Sequence, residues 1–191
     1  IPDSVKNLSM VPGNLTFSHT KENAKAGNFY KDGNRIYKLD DRAGHSGDLI
    51  LVSDVTNDTV VVVPEGVTVI GGNCFRRCAS LEELILPESL VDLGYYALSY
   101  LSSLKEVIIP ENVKEYGYCM FMGSTGLEKI IFKSNKITDG ESFAFYGCTS
   151  LKEIQLPESL ESFDYGAFRG CTSLTSLTFP ASFKAFTGAQ A

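Results

Sequence analysis

Residues 40–48 carry the side-chain types of a hydrolase, because Asp40, His45 and Ser46 supply an acid, a base and a nucleophile. A catalytic triad also requires these groups to be oriented towards one another in a pocket, which a short polar loop seldom achieves. The chain has only 2 histidines, and it lacks a phosphate loop, a dinucleotide-binding fingerprint and a zinc-peptidase motif. We therefore predict that the protein is not an enzyme.

The cysteines are the second set of residues whose side chains could take part in chemistry. The chain has 5, and Cys78, Cys148 and Cys171 occupy equivalent positions of a sequence repeat. Equivalent residues of neighbouring coils lie ~5 Å apart, within reach of a disulfide, but parallel Cα–Cβ directions disfavour the dihedral angle that this bond needs. Cys74 and Cys78 have no histidine nearby in the sequence to complete a zinc site. We predict a ladder of small buried thiols and no bound metal.

A column of glutamates, one just after each of four predicted strands, is the third candidate. Stacked carboxylates attract calcium or a basic partner, but the usual calcium loop also takes several oxygens from one short segment, and none is evident here. We predict a solvated acidic edge and no cofactor. The column comprises Glu65, Glu88, Glu111 and Glu158.

A repeat of 23 or 24 residues determines the elements that position these side chains. Residues 64–179 form five units of the pattern P-E-x-V/L-x-x-I/L-G-x-x-A-F-x-x-C-x-S-L-x-E-I-x-L. The extra residue of the fourth unit falls between Lys133 and Ser142. The first position holds Pro64, Pro87, Pro110, Lys133 and Pro157, and Pro180 begins the next unit.

Apolar columns stay in phase through the units, which predicts one strand per coil and stacked coils that cover each other's apolar side chains. The leucines of each L-x-x-L-x-L segment are expected to point inward, and a phenylalanine column to fill the far side of each coil. We expect a glycine column to supply a turn at positive φ. The three columns are Leu81, Leu104, Leu127, Leu151 and Leu174; Phe75, Leu98, Phe121, Phe145 and Phe168; and Gly71, Gly94, Gly117 and Gly140.

Three phrases of the chain resemble the BspA-like leucine-rich repeats. They are Ala144-Phe-Tyr-Gly-Cys-Thr-Ser-Leu151, Ala167-Phe-Arg-Gly-Cys-Thr-Ser-Leu174 and Val63-Pro-Glu-Gly-Val-Thr-Val-Ile-Gly71. The resemblance covers about residues 60–186, although Leu101 and Ser124 replace cysteine in two units. It implies a secreted or surface-attached bacterial protein, of a family that is linked to adhesion and protein binding.

We therefore predict a right-handed leucine-rich-repeat solenoid of the α/β horseshoe superfold, mostly β with short turns and little helix. Its strands are parallel, one per 23-residue coil. Residues 1–27 are an irregular segment that resembles the end of an upstream repeat, and 28–63 are an irregular cap with a hairpin around Asp32-Gly33. Residues 64–179 are five repeats, and 180–191 begin a truncated sixth. Both ends fall at the same phase, which fits either a slice of a longer array or degenerate repeats that act as caps. We favour the slice, because the sequence shows no polar C-terminal cap.

The outward residues of the predicted strands form the most informative surface. Three isoleucines make an apolar stripe, and lysines and a glutamine border it. An apolar patch with a polar rim indicates a partner site. The alternative is that β-branched residues simply favour strands and that an N-terminal loop covers them. The predicted contact residues are Ile85, Ile108, Ile131, Lys105, Lys129 and Gln155.

These residues predict a non-enzymatic module that binds a host or bacterial protein or glycan through the concave strand face, in an extracellular or cell-surface protein. The alternatives are a structural spacer and an accessory module of a larger surface protein. A net charge of −6 argues against a nucleic-acid partner. No apolar run approaches the ~20 residues that a membrane span needs, so we expect no membrane insertion. We expect a monomer, with residues 174–179 as an exposed final strand through which copies could associate.

Overall fold

The computed structural model describes residues 29–32, 35–39, 49–54 and 58–188, and these contain fourteen strands and no helix. The predicted irregular segment 1–27 and the hydrolase-like loop 40–48, with both histidines, lie outside the described residues. Residues 189–191, at the end of the predicted sixth unit, also lie outside them.

The strands form three groups. The N-terminal group contains β1 (Phe29–Asp32), β2 (Arg35–Leu39) and β3 (Leu49–Asp54). After it, each of five coils contributes a first strand and a second strand, and the last coil contributes a second strand only. The first strands are β4 (Val60–Val62), β6 (Glu83–Ile85), β8 (Glu106–Ile109), β10 (Lys129–Phe132) and β12 (Glu153–Gln155). The second strands are β5 (Val67–Ile70), β7 (Asp92–Leu93), β9 (Glu115–Tyr116), β11 (Asp139–Gly140), β13 (Ser162–Phe163) and β14 (Ala185–Phe186).

Parallel pairing of equivalent strands builds the solenoid. In the ladder β8-β10-β12, Ile108 pairs with Ile131, and Ile131 pairs with Gln155. β4 and β6 form a separate ladder, so the first-strand sheet is interrupted between β6 and β8. The predicted solenoid, with one such parallel strand in each coil of about 23 residues, is confirmed. The sequence did not predict the second strand, which forms its own ladders β5-β7-β9 and β11-β13-β14.

The N-terminal hairpin continues the second-strand ladder. β1 and β2 pair antiparallel with Asp32 opposite Arg35, so residues 33 and 34 connect the strands, one place after the predicted Asp32-Gly33 turn. β2 pairs antiparallel with β3, and β3 pairs parallel with β5. The hairpin strands therefore extend the sheet beyond the first coil and pair the edge that this coil would otherwise expose.

Alternation along each first strand buries one face in the core. In β8, Val107 and Ile109 are buried whereas Glu106 and Ile108 are exposed. Each large apolar side chain that is fully buried contributes about 1.5–3 kcal/mol to folding. The predicted leucine and phenylalanine columns are confirmed as core columns that become half-buried in the fifth unit. The buried members are Leu81, Leu104, Leu127 and Leu151, with Phe75, Leu98, Phe121 and Phe145.

Each of five coils closes through a six-residue turn segment, and the first four of these segments pair with the next coil. The first of these segments shows the pattern, because the backbone N–H groups of Asn73, Phe75 and Arg77 donate to carbonyls one coil further on. The N–H groups of Cys74 and Arg76, between them, donate to carbonyls within their own coil. All five N–H groups are therefore satisfied without water. The five turn segments are residues 72–77, 95–100, 118–123, 142–147 and 165–170.

The second and sixth residues of every turn segment have positive φ. The second positions are Asn73, Tyr96, Cys119, Phe143 and Gly166, and the sixth are Arg77, Tyr100, Gly123, Gly147 and Gly170. Six of these ten residues carry a side chain, although a non-glycine residue in this region costs roughly 1–2 kcal/mol of backbone energy.

The predicted role of the glycine column is wrong, because Gly94, Gly117 and Gly140 are not among the residues at positive φ. These positions need glycine for space instead. A Cβ on Gly94 would lie 2.4 Å from the backbone nitrogen of Gly72, and a Cβ on Gly140 would lie 2.0 Å from the Phe163 ring. Neighbouring coils approach so closely here that only a hydrogen fits.

The extra residue of the fourth unit lies between Phe132 and Ile137. Phe132 pairs with Ile109 at a separation of 23 residues, whereas the buried residues Val113 and Ile137 fill the next equivalent core position. A bend at Asn135 accommodates the additional residue, and the buried hydroxyl of Ser134, just before it, donates to the Val113 carbonyl.

Residues 174–179 do not form a strand, so the predicted final edge strand is wrong. β12 is the last paired member of the first-strand ladder, and the array continues only in the second-strand ladder, through β14. Leu174 and Leu177 still face the core, half-buried, but the backbone between them makes no ladder with β12. The repeat of apolar residues therefore continues for one coil beyond β12, the last first strand that is hydrogen-bonded in a ladder.

Candidate functional site

The strand face, defined as the outward side of β4, β6, β8, β10 and β12, contains five of the six predicted contact residues, and Lys105 lies immediately before β8. Ile108, Ile131 and Gln155 lie side by side on three paired strands. Ile85 lies on β6, across the interruption of the sheet, and pairs with Val62 of β4. Ile85 and Ile108 are exposed, and Ile131 is half-buried. The structure therefore places the three isoleucines on one face, in two ladders.

Lys105 and Lys129 border the stripe but are engaged by carboxylates. Lys105 Nζ lies 3.3 Å from Glu128, whose other oxygen lies 2.6 Å from Lys152. Lys129 Nζ lies 3.0 Å from Glu153, and this hydrogen bond raises the pKa of Lys129. Hydrogen bonds from Lys152 and then Lys105 lower the pKa of Glu128. These pairs fix the positions of the rim charges and stabilise the fold only slightly, because they are exposed.

An open groove of about 560 Å³ lies where the sheet is interrupted, between β6 and β8. Ile85 and Ile108 form its apolar surface. Four glutamates and two lysines line it, so its charge is negative on balance. The charged residues of the groove are Glu82, Glu83, Glu88, Glu106, Lys105 and Lys133.

Val60 and Val62 extend the apolar stripe and were missed by the sequence reasoning. Val62 is 51% exposed and Ile85, its partner in the ladder, is 46% exposed. The signal was the alternation of the valine run, in which Val61 and Val63 are buried. That run is the first strand of a coil that starts before the first proline of the repeat.

The cysteine column is a ladder of thiols that bond to the backbone. Cys148 Sγ donates to the Phe121 carbonyl over 3.1 Å, and Cys171 Sγ donates to the Phe145 carbonyl over 3.1 Å. Burial raises the pKa of Cys148, and it raises the pKa of Cys171 to about 11. The five cysteines are all unbridged. Of the predicted ladder of buried thiols, Cys148 is buried, whereas Cys78 and Cys171 are half-buried. Neutral thiols with a raised pKa are poor nucleophiles.

The acidic column contributes hydrogen bonds to neighbouring coils. Glu65 accepts from the backbone N–H groups of Glu88 and Ser89, at 3.0 Å and 3.3 Å. Asn135 accepts from the N–H group of Glu158 in the same way. Within the described residues, no group of three or more histidine, cysteine or acidic side chains is arranged to hold a metal ion. In the same part of the chain, no helix is long and apolar enough to cross a bilayer.

The sequence repeat and the geometry of the coils identify the protein family. The family model of the BspA type leucine rich repeat region matches residues 68–189 in 6 copies. The chain belongs to this family. None of the curated proteins compared with the chain matches it.

Solved structures of bacterial leucine-rich repeat proteins share this BspA-type fold. A leucine-rich repeat protein of T. pallidum has a TM-score of 0.63 at 22% identity, and the match covers 80% of this chain and 82% of that one. A leucine-rich cell surface protein of Faecalibacterium prausnitzii has a TM-score of 0.61 at 22% identity, over 84% of this chain and 50% of that one. A leucine-rich repeat protein of Eubacterium ventriosum has a TM-score of 0.58 at 20% identity, over 81% and 48%. This chain thus spans about half the length of the latter two proteins, and the likeness concerns the fold.

Proposed function

We propose that this BspA-type array is a non-enzymatic binding module of a secreted or surface-attached bacterial protein, and that its strand face holds a segment of another protein. The observation that carries the proposal is the apolar stripe of Val62, Ile85 and Ile108, which stays exposed on three successive first strands. Exposed apolar stripes with a charged rim are typical of protein interaction sites.

The chemistry of the face favours a protein over a glycan. The exposed large apolar side chains on the strand face are aliphatic, and the exposed tyrosines, Tyr95 and Tyr118, lie in the turn segments. Aliphatic side chains bury well against other aliphatic side chains and give little to a sugar. The negative groove between β6 and β8 further favours a segment that carries basic residues.

A surface location is supported by the family and by the F. prausnitzii relative, which is described as a cell surface protein. A rigid array suits this role, because the strands hold the contact residues in place before binding. The entropy cost of ordering the site is then small.

The test uses two synthetic peptides that lack tryptophan, one alternating leucine with lysine and the other alternating leucine with glutamate. Fluorescence anisotropy of labelled peptide measures binding to the full chain. We expect the lysine peptide to bind and the glutamate peptide to bind at least tenfold more weakly. The triple variant Ile85→Gln/Ile108→Gln/Ile131→Gln should lose at least tenfold in affinity for the lysine peptide.

A matched control makes three equivalent neutral substitutions away from the strand face. Thr125→Gln/Thr149→Gln/Thr172→Gln changes exposed residues that follow the turn segments. It should bind the lysine peptide as the parent does, and circular dichroism should show all proteins folded. Equal binding by the isoleucine variant and the parent contradicts the proposal, and absence of binding by the parent favours a spacer.

A further inference from the structure

Arginines and tyrosines from three consecutive coils form a second exposed cluster, in the turn segments. The Tyr95 and Tyr118 rings stack with centroids 5.6 Å apart and planes inclined by 10°. Tyr96 meets both rings at its edge, at 6.4 Å and 5.6 Å. Tyr118 is 47% exposed, so the stack faces solvent. We call this cluster the turn-face patch; it comprises Arg76, Arg77, Tyr95, Tyr96, Tyr100 and Tyr118.

The two guanidinium groups lie on tyrosine rings instead of against carboxylates. Arg76 Cζ lies 5.0 Å from the centroid of Tyr96 and 5.3 Å from that of Tyr100. Arg77 Cζ lies 5.6 Å from the Tyr100 centroid. In the portion of the chain that is described, no ion pair joins Arg76 or Arg77 to a carboxylate, so neither guanidinium is neutralised there. Both arginines are exposed. Arg76 donates one N–H group to Asn73 Oδ1 at 3.3 Å, and each guanidinium has further N–H groups that can bind a ligand.

The backbone supports a functional reading of this patch. Arg77 and Tyr100 occupy the sixth turn position at φ of +64° and +58°, where the next three coils have Gly123, Gly147 and Gly170. Glycine adopts this conformation without strain, so the two side chains are kept at a cost in stability. Strain of this kind clusters at binding sites, and here it coincides with unneutralised charge and exposed rings.

We propose that the turn-face patch binds an anionic glycan. Guanidinium forks match the carboxylate or sulfate groups of such a chain in a bidentate manner. The exposed faces and hydroxyls of Tyr95 and Tyr118 suit a sugar ring, which also presents apolar and hydroxyl surfaces. The patch spans three coils, or roughly 10 Å, so it accommodates a short stretch of a linear polymer.

An extended acidic peptide fits the patch less well. Such a peptide gains much of its affinity by adding backbone hydrogen bonds to a strand edge. The turn segments offer no such edge, because the N–H groups of Asn73, Phe75 and Arg77 already donate to the next coil. Recognition here must therefore use side chains, and these are rings and guanidinium groups.

The test titrates the full chain with defined oligosaccharides in calorimetry. A sulfated heparin hexasaccharide and a carboxylated hyaluronan hexasaccharide report the two kinds of anionic group, and a neutral chitin hexamer of the same length is the control. We expect the chain to bind at least one anionic sugar, more weakly as salt rises, and the neutral hexamer at least tenfold more weakly. Equal binding of the neutral hexamer, or no binding of either anionic sugar, overturns the proposal.

Substitutions test whether the anionic sugar binds at the turn-face patch. Arg76→Gln/Arg77→Gln should lower the affinity for the anionic sugar at least tenfold, whereas Lys114→Gln/Lys136→Gln removes the same charge elsewhere and should change it less than threefold. Arg77→Gly should leave the melting temperature unchanged or higher and still weaken binding, which separates loss of the site from loss of the fold. Retained affinity in both arginine variants overturns the proposal, as does a poly-glutamate peptide that binds as tightly as the sugar.

Discussion

Cys148 and Phe121 lie in neighbouring coils and are joined by a hydrogen bond of 3.1 Å from the Cys148 thiol to the Phe121 backbone carbonyl. Ser124 makes the same contact one coil earlier, because its hydroxyl donates to the Leu98 carbonyl at 2.8 Å. The position therefore suits a small side chain that donates inward, although Leu101 fills it with a larger apolar side chain in the second unit. Cysteine meets both needs while it also packs as an apolar residue, which explains the recurrence of the Cys-Thr-Ser-Leu phrase.

The first prediction concerns thiol reactivity. Burial raises the pKa of Cys171 to about 11 and also raises that of Cys148, so both remain thiols at pH 8. We expect a chromogenic disulfide reagent to modify these two cysteines at least a hundredfold more slowly in the native protein than in concentrated guanidinium. Mass spectrometry of the digested protein assigns the modified sites. Equal native and denatured rates, or a Cys148–Cys171 disulfide in the isolated protein, would contradict this prediction.

The second prediction separates steric clash from backbone strain in two glycines. A Cβ on Gly117 would lie 2.4 Å from the Tyr95 nitrogen, whereas Gly66, at a φ of +91°, has open space around it. Gly117→Ala should destabilise the fold by about 3 kcal/mol, because backbone cannot move aside easily. Gly66→Ala should cost about 1 kcal/mol, from strain alone. Urea unfolding measures both, and equal losses would show that the coils do not approach as closely as described.

The third prediction concerns pH. Desolvation by its surroundings, followed by the nearby charges of Asp164, Asp139 and Glu115, raises the pKa of Glu141, although the residue remains exposed. A raised pKa means that the ionised carboxylate is less favourable in the folded state. This destabilisation is fully present above the folded pKa and disappears below the unfolded value. Glu141→Gln should therefore raise the melting temperature at pH 7 by about 1–2 °C, a modest effect because solvent screens the charge.

The gain from Glu141→Gln should shrink as the pH falls from 7 to 4, where Glu141 becomes protonated in both states. Glu111→Gln removes the same charge from an exposed position of the acidic edge and serves as the control. It should leave the melting temperature within experimental error at both pH values. A gain from Glu141→Gln that is the same at pH 4 as at pH 7 would contradict the electrostatic explanation.

The sequence predicts the fold well where each coil repeats the same residue type. Leu151 and Phe145 belong to columns that hardly vary, so their burial follows from periodicity. The left-handed turn positions were not predictable in this way, because Tyr100 and Gly170 are equivalent in backbone but not in type. For the same reason the patch around Arg76 and Tyr96 has no repeat signature. The patch forms only where consecutive coils carry large side chains in their turn segments.

The candidate site on the strand face was predicted in part. Alternation places Ile108 and Ile131 outward on paired strands, and this follows from a period of two residues. The interruption between β6 and β8, and hence the groove beside Ile85, did not follow from it. Hydrogen bonds between coils depend on small shifts of the backbone, which side-chain periodicity does not encode.

A tryptophan placed in the groove measures most directly whether the strand face is the binding surface. The chain has no tryptophan, so Ile108→Trp introduces a single fluorescent reporter there and Thr149→Trp introduces one away from the face. On addition of the leucine–lysine peptide, we predict a blue shift and reduced iodide quenching for Ile108→Trp, and no change for Thr149→Trp. Peptide binding by anisotropy that alters the emission of Thr149→Trp, and leaves that of Ile108→Trp unchanged, would contradict the proposed role of the strand face.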